Sequence, residues 1–436
     1  MSVVTESPVH SSSSDDFAAF LDAELDCSSS DPFPEPEAEH EQEFENERAK
    51  RRKVELGSSN ETHGSVESLE KESIRSVVCT HPGVFRAMCI RCGQRVDEGS
   101  GVAFGYIHKD LRLGNDEIVR LRISDFKSLL RRKKLYLILD LDQTLLNSTR
   151  LVDMTPDEEY LKCPAGAFQG SLFKLDFMHM MTKLRPFVHS FLKEASTMFD
   201  MYIYTMGERS YAIEMAKLLD PEELYFSSRI ISQADCTQKH QKGLDVVLGQ
   251  ENAVLILDDT EPVWQKHKEN LILMERYHFF SSSCRQWGFN CKSLSLLKND
   301  ESESDGALAV VLKVLKRIHS LFYCSESEEG FEGKDVRQIL RWVRREVLDG
   351  CRVVFSHVFP MECRAEDHYI WMLAERLGAA CSREVEPSIT HVVAVDPGTA
   401  KSRWAVREGK FLVSPRWIEA SSFLWHRQPE SNFPVS

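Results

Sequence analysis

Five apolar residues in a row, Leu135-Tyr136-Leu137-Ile138-Leu139, stop abruptly at Asp140-Leu141-Asp142, and this boundary constrains the 436-residue chain more than any other. A run of strand length without a polar residue reads as a buried strand. Side chains alternate along a strand, so carboxylates at i and i+2 project the same way. The crevice beyond the carboxyl ends of the strands is where open α/β sheets place their chemistry. Two acids held there suit a hard cation and phosphoryl transfer. A surface turn would carry the same triplet, so the reading depends on the residues downstream of it.

Strands and helices alternate downstream. SLFKLDFMHMMTKLRP alternates like strands, PFVHSFLKEASTMF carries apolar residues at helical spacing, and MYIYTMG is a short strand. YAIEMAKLLD reads as a helix, and NAVLILDDT, Asn252 to Thr260, as a second buried strand ending in paired acids. The pattern predicts an α/β fold with a parallel sheet covered on both faces. GVAFGYIHKDLRL and the amphipathic NDEIVRLRISDFKSLLRRKK lead into this domain, and ALAVVLKVLKRIHSLFY closes it.

Composition sets the remaining boundaries. From Met1 to Glu47 there is no Lys or Arg and few apolar residues, a stretch unable to bury enough to offset its ordering entropy. The expected organisation is a disordered acidic tail over 1–76, a Cys/His-containing cap and lead-in over 77–128, the α/β domain over 129–324, a Ser/Glu-rich linker over 325–334 and a separate module over 335–436. RAKRRK, Arg48 to Lys53, reads either as a nuclear localisation signal or as a solvated charge run. A net charge of −14 argues against direct DNA binding and favours a basic partner or substrate sequence. No apolar run approaches the roughly 20 residues that span a bilayer, and the N-terminus is acidic where a signal peptide would be basic, so no membrane association is expected. The 12 cysteines are scattered, which suggests reduced thiols in cytosol or nucleus.

Phosphomonoesters hydrolyse very slowly unaided, so a protein that cleaves one must align a nucleophile, neutralise phosphoryl oxygens and protonate the leaving oxygen. Asp140 can attack phosphorus to give an aspartyl-phosphate, and Asp142 can give and later recover the proton. The run through Thr144 matches the DxDxT motif of haloacid-dehalogenase-type phosphatases, and the resemblance continues in order. It implies that Thr205 and Lys242 hold phosphate, that Mg2+ binds at Asp140, Asp142 and Asp259, and that Thr144 and Asp258 support the site. Within that superfamily, LDLDQTLLNS, KLRP, YIYTMG, Arg229, Lys242, and LDD followed by Val263-Trp264 resemble the phosphatases of the RNA polymerase II C-terminal domain, the group that interacts with TFIIF. GYIHKDLRL resembles the plant members. This likeness implies phosphate or peptide binding by Arg185 and Arg229. Two positions depart from the family pattern: Thr260 stands where many members have Arg, and Phe187 where many have Gly. Both bear on substrate fit more than on bond cleavage.

Cys79, His81, Cys89 and Cys92 form a second constellation, with the last pair at zinc-knuckle spacing. Thiolates plus an imidazole suit a structural, tetrahedral Zn2+; reduced thiols in a short ordered cap, or a site shared with a partner chain, are the alternatives.

The C-terminal module reads β, α, β, α, β, α from Val347 onward. Gly378 after its first helix, ITHVV and Trp417 resemble a BRCT domain, with Trp417 expected in the core. In that family Ser356 and Lys401 occupy approximately the phosphopeptide-binding positions, although a single domain also binds unmodified protein. The expected architecture is therefore α/β: a haloacid-dehalogenase-like (Rossmann-like) parallel-sheet phosphatase domain, then a small α/β BRCT domain. The expected function is a nuclear, Mg2+-dependent serine phosphatase of the polymerase heptad repeats, with TFIIF as a partner through the BRCT region. Two alternatives remain: a small-molecule phosphatase of the same superfamily, which would usually carry a large helical cap, or a weakly active transcription-complex adaptor.

Overall fold

The computed structural model describes residues 79–435 except 98, 163–167, 169, 287–291, 325–332 and 361–363. The acidic tail, the basic hexamer and most of the linker lie outside the described residues.

The chain enters through four short strands, Gly83–Phe85 (β1), Met88–Cys89 (β2), Val102–Ala103 (β3) and Leu111–Leu113 (β4). They form an antiparallel sheet in the order β2-β1-β4-β3. Strands of two or three residues carry no periodicity, which is why the sequence reads here only as an ordered cap. Helix Asn115–Arg131 (α1) comes next, acidic in its first turn and basic in its last, as the helix dipole favours. It buries Ile118, Phe126 and Leu129.

Leu135–Leu139 (β5) is buried at every position, as expected of a central parallel strand. An insertion then makes a three-stranded antiparallel sheet in the order β6-β8-β7, from Leu146–Arg150 (β6), Leu172–Leu175 (β7) and Met180–Leu184 (β8). The described residues of this insertion contain no α-helical cap. Helix Val188–Ala195 (α2) starts from Phe187 at φ 69°. That left-handed conformation costs a side-chain-bearing residue about 1–2 kcal/mol and suits the glycine expected there.

Strand Phe199–Tyr204 (β9), helix Arg209–Leu219 (α3), and strands Ile230–Ile231 (β10), Val254–Asp258 (β11) and Leu271–Leu273 (β12) complete the domain sheet. Its order is β10-β9-β5-β11-β12, all parallel. Helices Ser281–Gln286 (α4) and Ala307–Cys324 (α5) come after it.

The C-terminal module opens with Val336–Arg345 (α6), capped by the Asp335 side chain. It continues through Arg352–Ser356 (β13), Tyr369–Arg376 (α7), Ala380–Ser382 (β14), His391–Ala394 (β15), Ala400–Arg407 (α8), Phe411–Val413 (β16) and Arg416–Leu424 (α9). The sheet is parallel, in the order β14-β13-β15-β16. Trp417 is a core residue: its ring stacks on His391 and its indole N–H donates to the Gln428 carbonyl at 2.8 Å. Gly378 is required where it stands, because at φ +98° a Cβ would lie 1.9 Å from the Arg345 carbonyl oxygen. The module rests on the phosphatase domain through charged contacts. Arg344 donates to the Leu271 carbonyl at 2.7 Å, and Arg376 meets Glu261 at 3.4 Å, two residues beyond the paired acids of β11. Among the described residues no helix is long and apolar enough to cross a membrane.

Candidate active site

Parallel register decides which residues meet. Leu139 pairs with Leu257 on one side and with Ile203 on the other, so Asp140, Asp258 and Thr205 leave the same edge of the sheet. The Asp140 amide donates to the Leu257 carbonyl at 3.0 Å, and the Thr205 amide to the Ile231 carbonyl at 3.0 Å. Both residues are therefore held in the last ladder positions, with side chains at the mouth of the crevice.

Lys242 comes from a loop after β10 whose backbone is tied down on several sides. Its own amide donates to the Val263 carbonyl, while Arg122 of α1 reaches over to the carbonyls of Leu244 and Val247. The ammonium lies 2.6 Å from Asp140 Oδ1 and 2.6 Å from Asp258 Oδ2, and faces the rings of Tyr204 and Trp264. Only 5% of the residue is exposed. Burial works against its charge, yet the Asp140 and Asp258 carboxylates outweigh that and hold the ammonium above its usual pKa range.

The two acids at the end of β11 have different tasks. Asp258 is enclosed: it accepts from the Thr260 amide at 2.8 Å, the Trp264 indole at 2.8 Å and Lys242. Asp259 turns toward the crevice, taking the Thr144 hydroxyl on Oδ1 at 3.5 Å, and the Thr260 hydroxyl (3.0 Å) and Arg276 guanidinium (2.7 Å) on Oδ2. Carboxylate oxygens of Asp140, Asp258 and Asp259 lie within 4.8 Å of one another. Asp258 is engaged by Lys242, Thr260 and Trp264 together, which leaves Asp140 and Asp259 as the candidate ligands for a metal. An all-oxygen set of this kind suits Mg2+. Burial, reinforced by Asp258, Asp259 and Asp142 and opposed by Lys242, pushes the Asp140 carboxyl well above the usual range. A divalent ion would offset that crowding of negative charge.

Asp142 is half-buried, and its Oδ1 accepts from the Tyr211 hydroxyl at 2.5 Å. That hydroxyl also meets Ser148 Oγ at 2.9 Å. Tyr211 lies in the first turn of α3, and Gly207 makes room for its ring: a Cβ there would stand 2.8 Å from Tyr211 Cδ1. The Gly207 amide donates to Thr205 Oγ1 at 3.0 Å, fixing that hydroxyl at the strand's mouth. Thus Asp140, Asp142, Thr144, Thr205, Lys242, Asp258 and Asp259 are brought together.

The two arginines expected to contact substrate have partners within the chain. Arg185 is 1% exposed and braces the nucleophile loop from behind, binding Glu301 at 2.7 Å and the carbonyls of Thr144 (3.0 Å) and Glu275 (2.9 Å). Arg229 donates to the carbonyls of Met201 and Tyr225, each at 2.9 Å, and its guanidinium lies over the Tyr202 ring. Met201 sits well short of Thr205 along β9, so Arg229 secures the side of that strand and not its chemical end. Both guanidiniums bond backbone carbonyls, and that of Arg185 also pairs with the Glu301 carboxylate.

In the C-terminal module, Ser356 and Lys401 lie at one end of the sheet but are occupied internally. Ser356 Oγ meets Thr399 Oγ1 at 2.7 Å, and Lys401 donates to the Phe355 (3.0 Å) and Arg383 (2.5 Å) carbonyls.

Tyr211 and Arg276 escape the sequence reading because neither lies in a motif; each becomes visible only when its partner carboxylate is in place. Tyr211 offers a direct test. General acid catalysis matters for a serine alkoxide and hardly at all for an aryl oxide, which leaves without a proton. Tyr211→Phe should therefore lower kcat on a phosphoserine peptide by about 10-fold or more while changing aryl phosphate turnover little. Equal losses on both would mean that the hydroxyl only supports the fold.

The chain matches the NLI interacting factor-like phosphatase family over residues 135–286 and the BRCT domain family over 343–422. It is 59% identical to Arabidopsis thaliana RNA polymerase II C-terminal domain phosphatase-like 4, across 99% of this chain and 97% of the relative. Identity to the Arabidopsis thaliana RNA polymerase II C-terminal domain phosphatase-like 3 is 39%, across 74% of this chain and 28% of that longer protein. The solved structure of Fcp1, an essential RNA polymerase II CTD phosphatase, aligns with a TM-score of 0.59 and 26% identity, covering 72% of this chain and 100% of that one. With paired acids assembled at the strand ends and a relative alike along nearly its whole length, the chain belongs to the RNA polymerase II C-terminal domain phosphatase-like family.

Proposed function

We propose that this phosphatase removes phosphate from serines in the heptad repeats of the RNA polymerase II C-terminal domain, in the nucleus, with Mg2+ as cofactor. One observation carries the reading: Asp140 Oδ1 is held against Lys242 at the open end of the sheet, with Asp259 close by. Asp140 attacks phosphorus as the bond to the serine oxygen breaks, and Asp142 gives its proton to that oxygen. Asp142 then takes a proton from water, which attacks the aspartyl-phosphate, releases phosphate and restores Asp140. Lys242 and the Thr205 hydroxyl hold phosphoryl oxygens. Asp140, Asp259 and the Asp142 backbone would hold Mg2+, which when bound would supply positive charge between carboxylate and phosphate.

A substrate presented on an extended peptide is favoured by the insertion, a small sheet among its described residues where a metabolite enzyme would have a helical cap. Thr260 supports an active enzyme too, since its amide and hydroxyl bind both terminal acids and Arg276 supplies the cation at Asp259. The BRCT module would tether the enzyme to its substrate assembly, with TFIIF as the candidate partner, raising local substrate concentration. Cys79, His81, Cys89 and Cys92 belong to a separate part of the chain and take no direct part in this chemistry.

Wild-type protein assayed with Mg2+ on phosphoserine heptad peptides and on a small phosphomonoester separates the alternatives. The expected result is a kcat/KM at least about 10-fold higher on the peptides, the difference that about 1.4 kcal/mol of additional transition-state binding provides. Faster turnover of the small ester would overturn the peptide assignment.

A further inference from the structure

Ahead of the phosphatase domain, Cys79, His81, Cys89 and Cys92 each offer one ligand atom, and these atoms lie within 4.8 Å of one another. Zn–S bonds near 2.3 Å place sulfur atoms about 3.8 Å apart in a tetrahedron, a separation that small side-chain rotations reach from here. The backbone is shaped around this point. Cys89 ends β2; the next turn brings the Arg91 amide to 3.4 Å from Cys89 Sγ and the Gly93 amide to 2.9 Å from the Cys89 carbonyl, with Gly93 at φ +71°. An amide directed at sulfur favours thiolate over thiol. On the other side, His81 adopts φ 49° and its Nδ1 stands 3.4 Å from Cys92 Sγ. That left-handed bend is how ligands only two residues apart converge.

A second observation shows that the sheet needs a fastening. β1 and β2 are joined through Arg86 and Ala87, both left-handed at φ 49° and 59°. Each costs a residue with a side chain about 1–2 kcal/mol. The strands are two or three residues long, and Phe85, Met88 and Ile90 around the turn are exposed, which leaves only the Val84 and Cys89 side chains buried in the hairpin. Small units with so little core are stabilised by a disulfide or a metal.

We propose that Cys79, His81, Cys89 and Cys92 bind one structural Zn2+ as a Cys3His site that clamps the base of the β1–β2 hairpin. Each thiol releases its proton to solvent and the imidazole binds neutral, so that three thiolates and one nitrogen complete a closed tetrahedron with no position for substrate. The clamp also steadies the catalytic loop. The same small unit carries Tyr106, whose hydroxyl donates to the Val246 carbonyl at 2.9 Å in the segment just beyond Lys242.

Full-length protein, purified under reducing conditions without chelator and dialysed against excess Mg2+ to clear oxygen-ligand sites, should retain about one zinc per chain by mass spectrometry of the metal. Cys89→Ser with Cys92→Ser should bring this below about one tenth. Because that variant could also lose its fold, a second comparison keeps the ligand set. Cobalt-substituted wild type should show tetrahedral thiolate-to-cobalt absorption, and His81→Cys should raise it by about one third as three thiolates become four. Wild type that retains no zinc and takes no cobalt, or a cobalt spectrum unchanged by His81→Cys, would overturn the assignment.

Discussion

Asp140→Asn should fold normally and lose at least about 10^3-fold in kcat on a phosphoserine peptide, the scale on which removal of a nucleophile acts. The two effects separate for an electrostatic reason. The amide keeps the shape of the Asp140 side chain, and Lys242 would keep Asp258 as its ion-pair partner at 2.6 Å. Replacing one acid of a crowded group by an amide of equal shape therefore leaves the fold nearly as stable. Chemistry responds differently, because an amide oxygen does not form an aspartyl-phosphate. Urea unfolding and single-turnover phosphate release check the two halves, and a variant within about 10-fold of wild type would remove Asp140 as nucleophile.

Lys242→Met should be damaging in both respects. Its ammonium is shared by two buried carboxylates at 2.6 Å each, so truncation leaves Asp140 and Asp258 without their common cation. Breaking a buried ion pair from one side typically costs about 3–5 kcal/mol, since the remaining charge stays desolvated. Turnover should fall by about 10^2-fold or more with the loss of a positive charge at the phosphoryl site. A double mutant distinguishes the causes. Lys242→Met with Asp258→Asn should recover a large part of the stability by removing one orphaned charge, yet recover no activity. Should the double mutant be no more stable than Lys242→Met alone, the stabilising role assigned to the Lys242–Asp258 pair would be wrong.

Much of the site is legible in the chain because its pieces sit at strand ends. β5 and β11 are continuous apolar runs closed by acids, and the Met201–Tyr204 part of β9 is one closed by Thr205, so local pattern is enough to locate Asp140, Asp142, Thr205, Asp258 and Asp259 as the candidate site residues. The division of labour between Asp258 and Asp259 is less visible. It depends on Lys242, Thr260 and Trp264 closing around one acid while Arg276 and Thr144 meet the other, and those residues lie up to 115 positions apart. Arg185 illustrates the limit of motif spacing: its place after KL says nothing of its burial against Glu301 and the Thr144 carbonyl, through which it braces the loop.

By itself the sequence determined the two-module α/β organisation, the placing of paired acids at strand ends and the clustering of cysteines with a histidine, because periodicity and short spacing are local properties that every residue carries with it. Only the tertiary structure decided that Tyr211 holds Asp142, that Arg276 takes Asp259, that Arg185 and Arg229 point to backbone carbonyls, and that Ser356 and Lys401 are engaged within their own module. The physical reason is that a buried donor or acceptor must find a partner wherever packing places one, and that choice is made by sheet register and helix docking, not by neighbours along the chain.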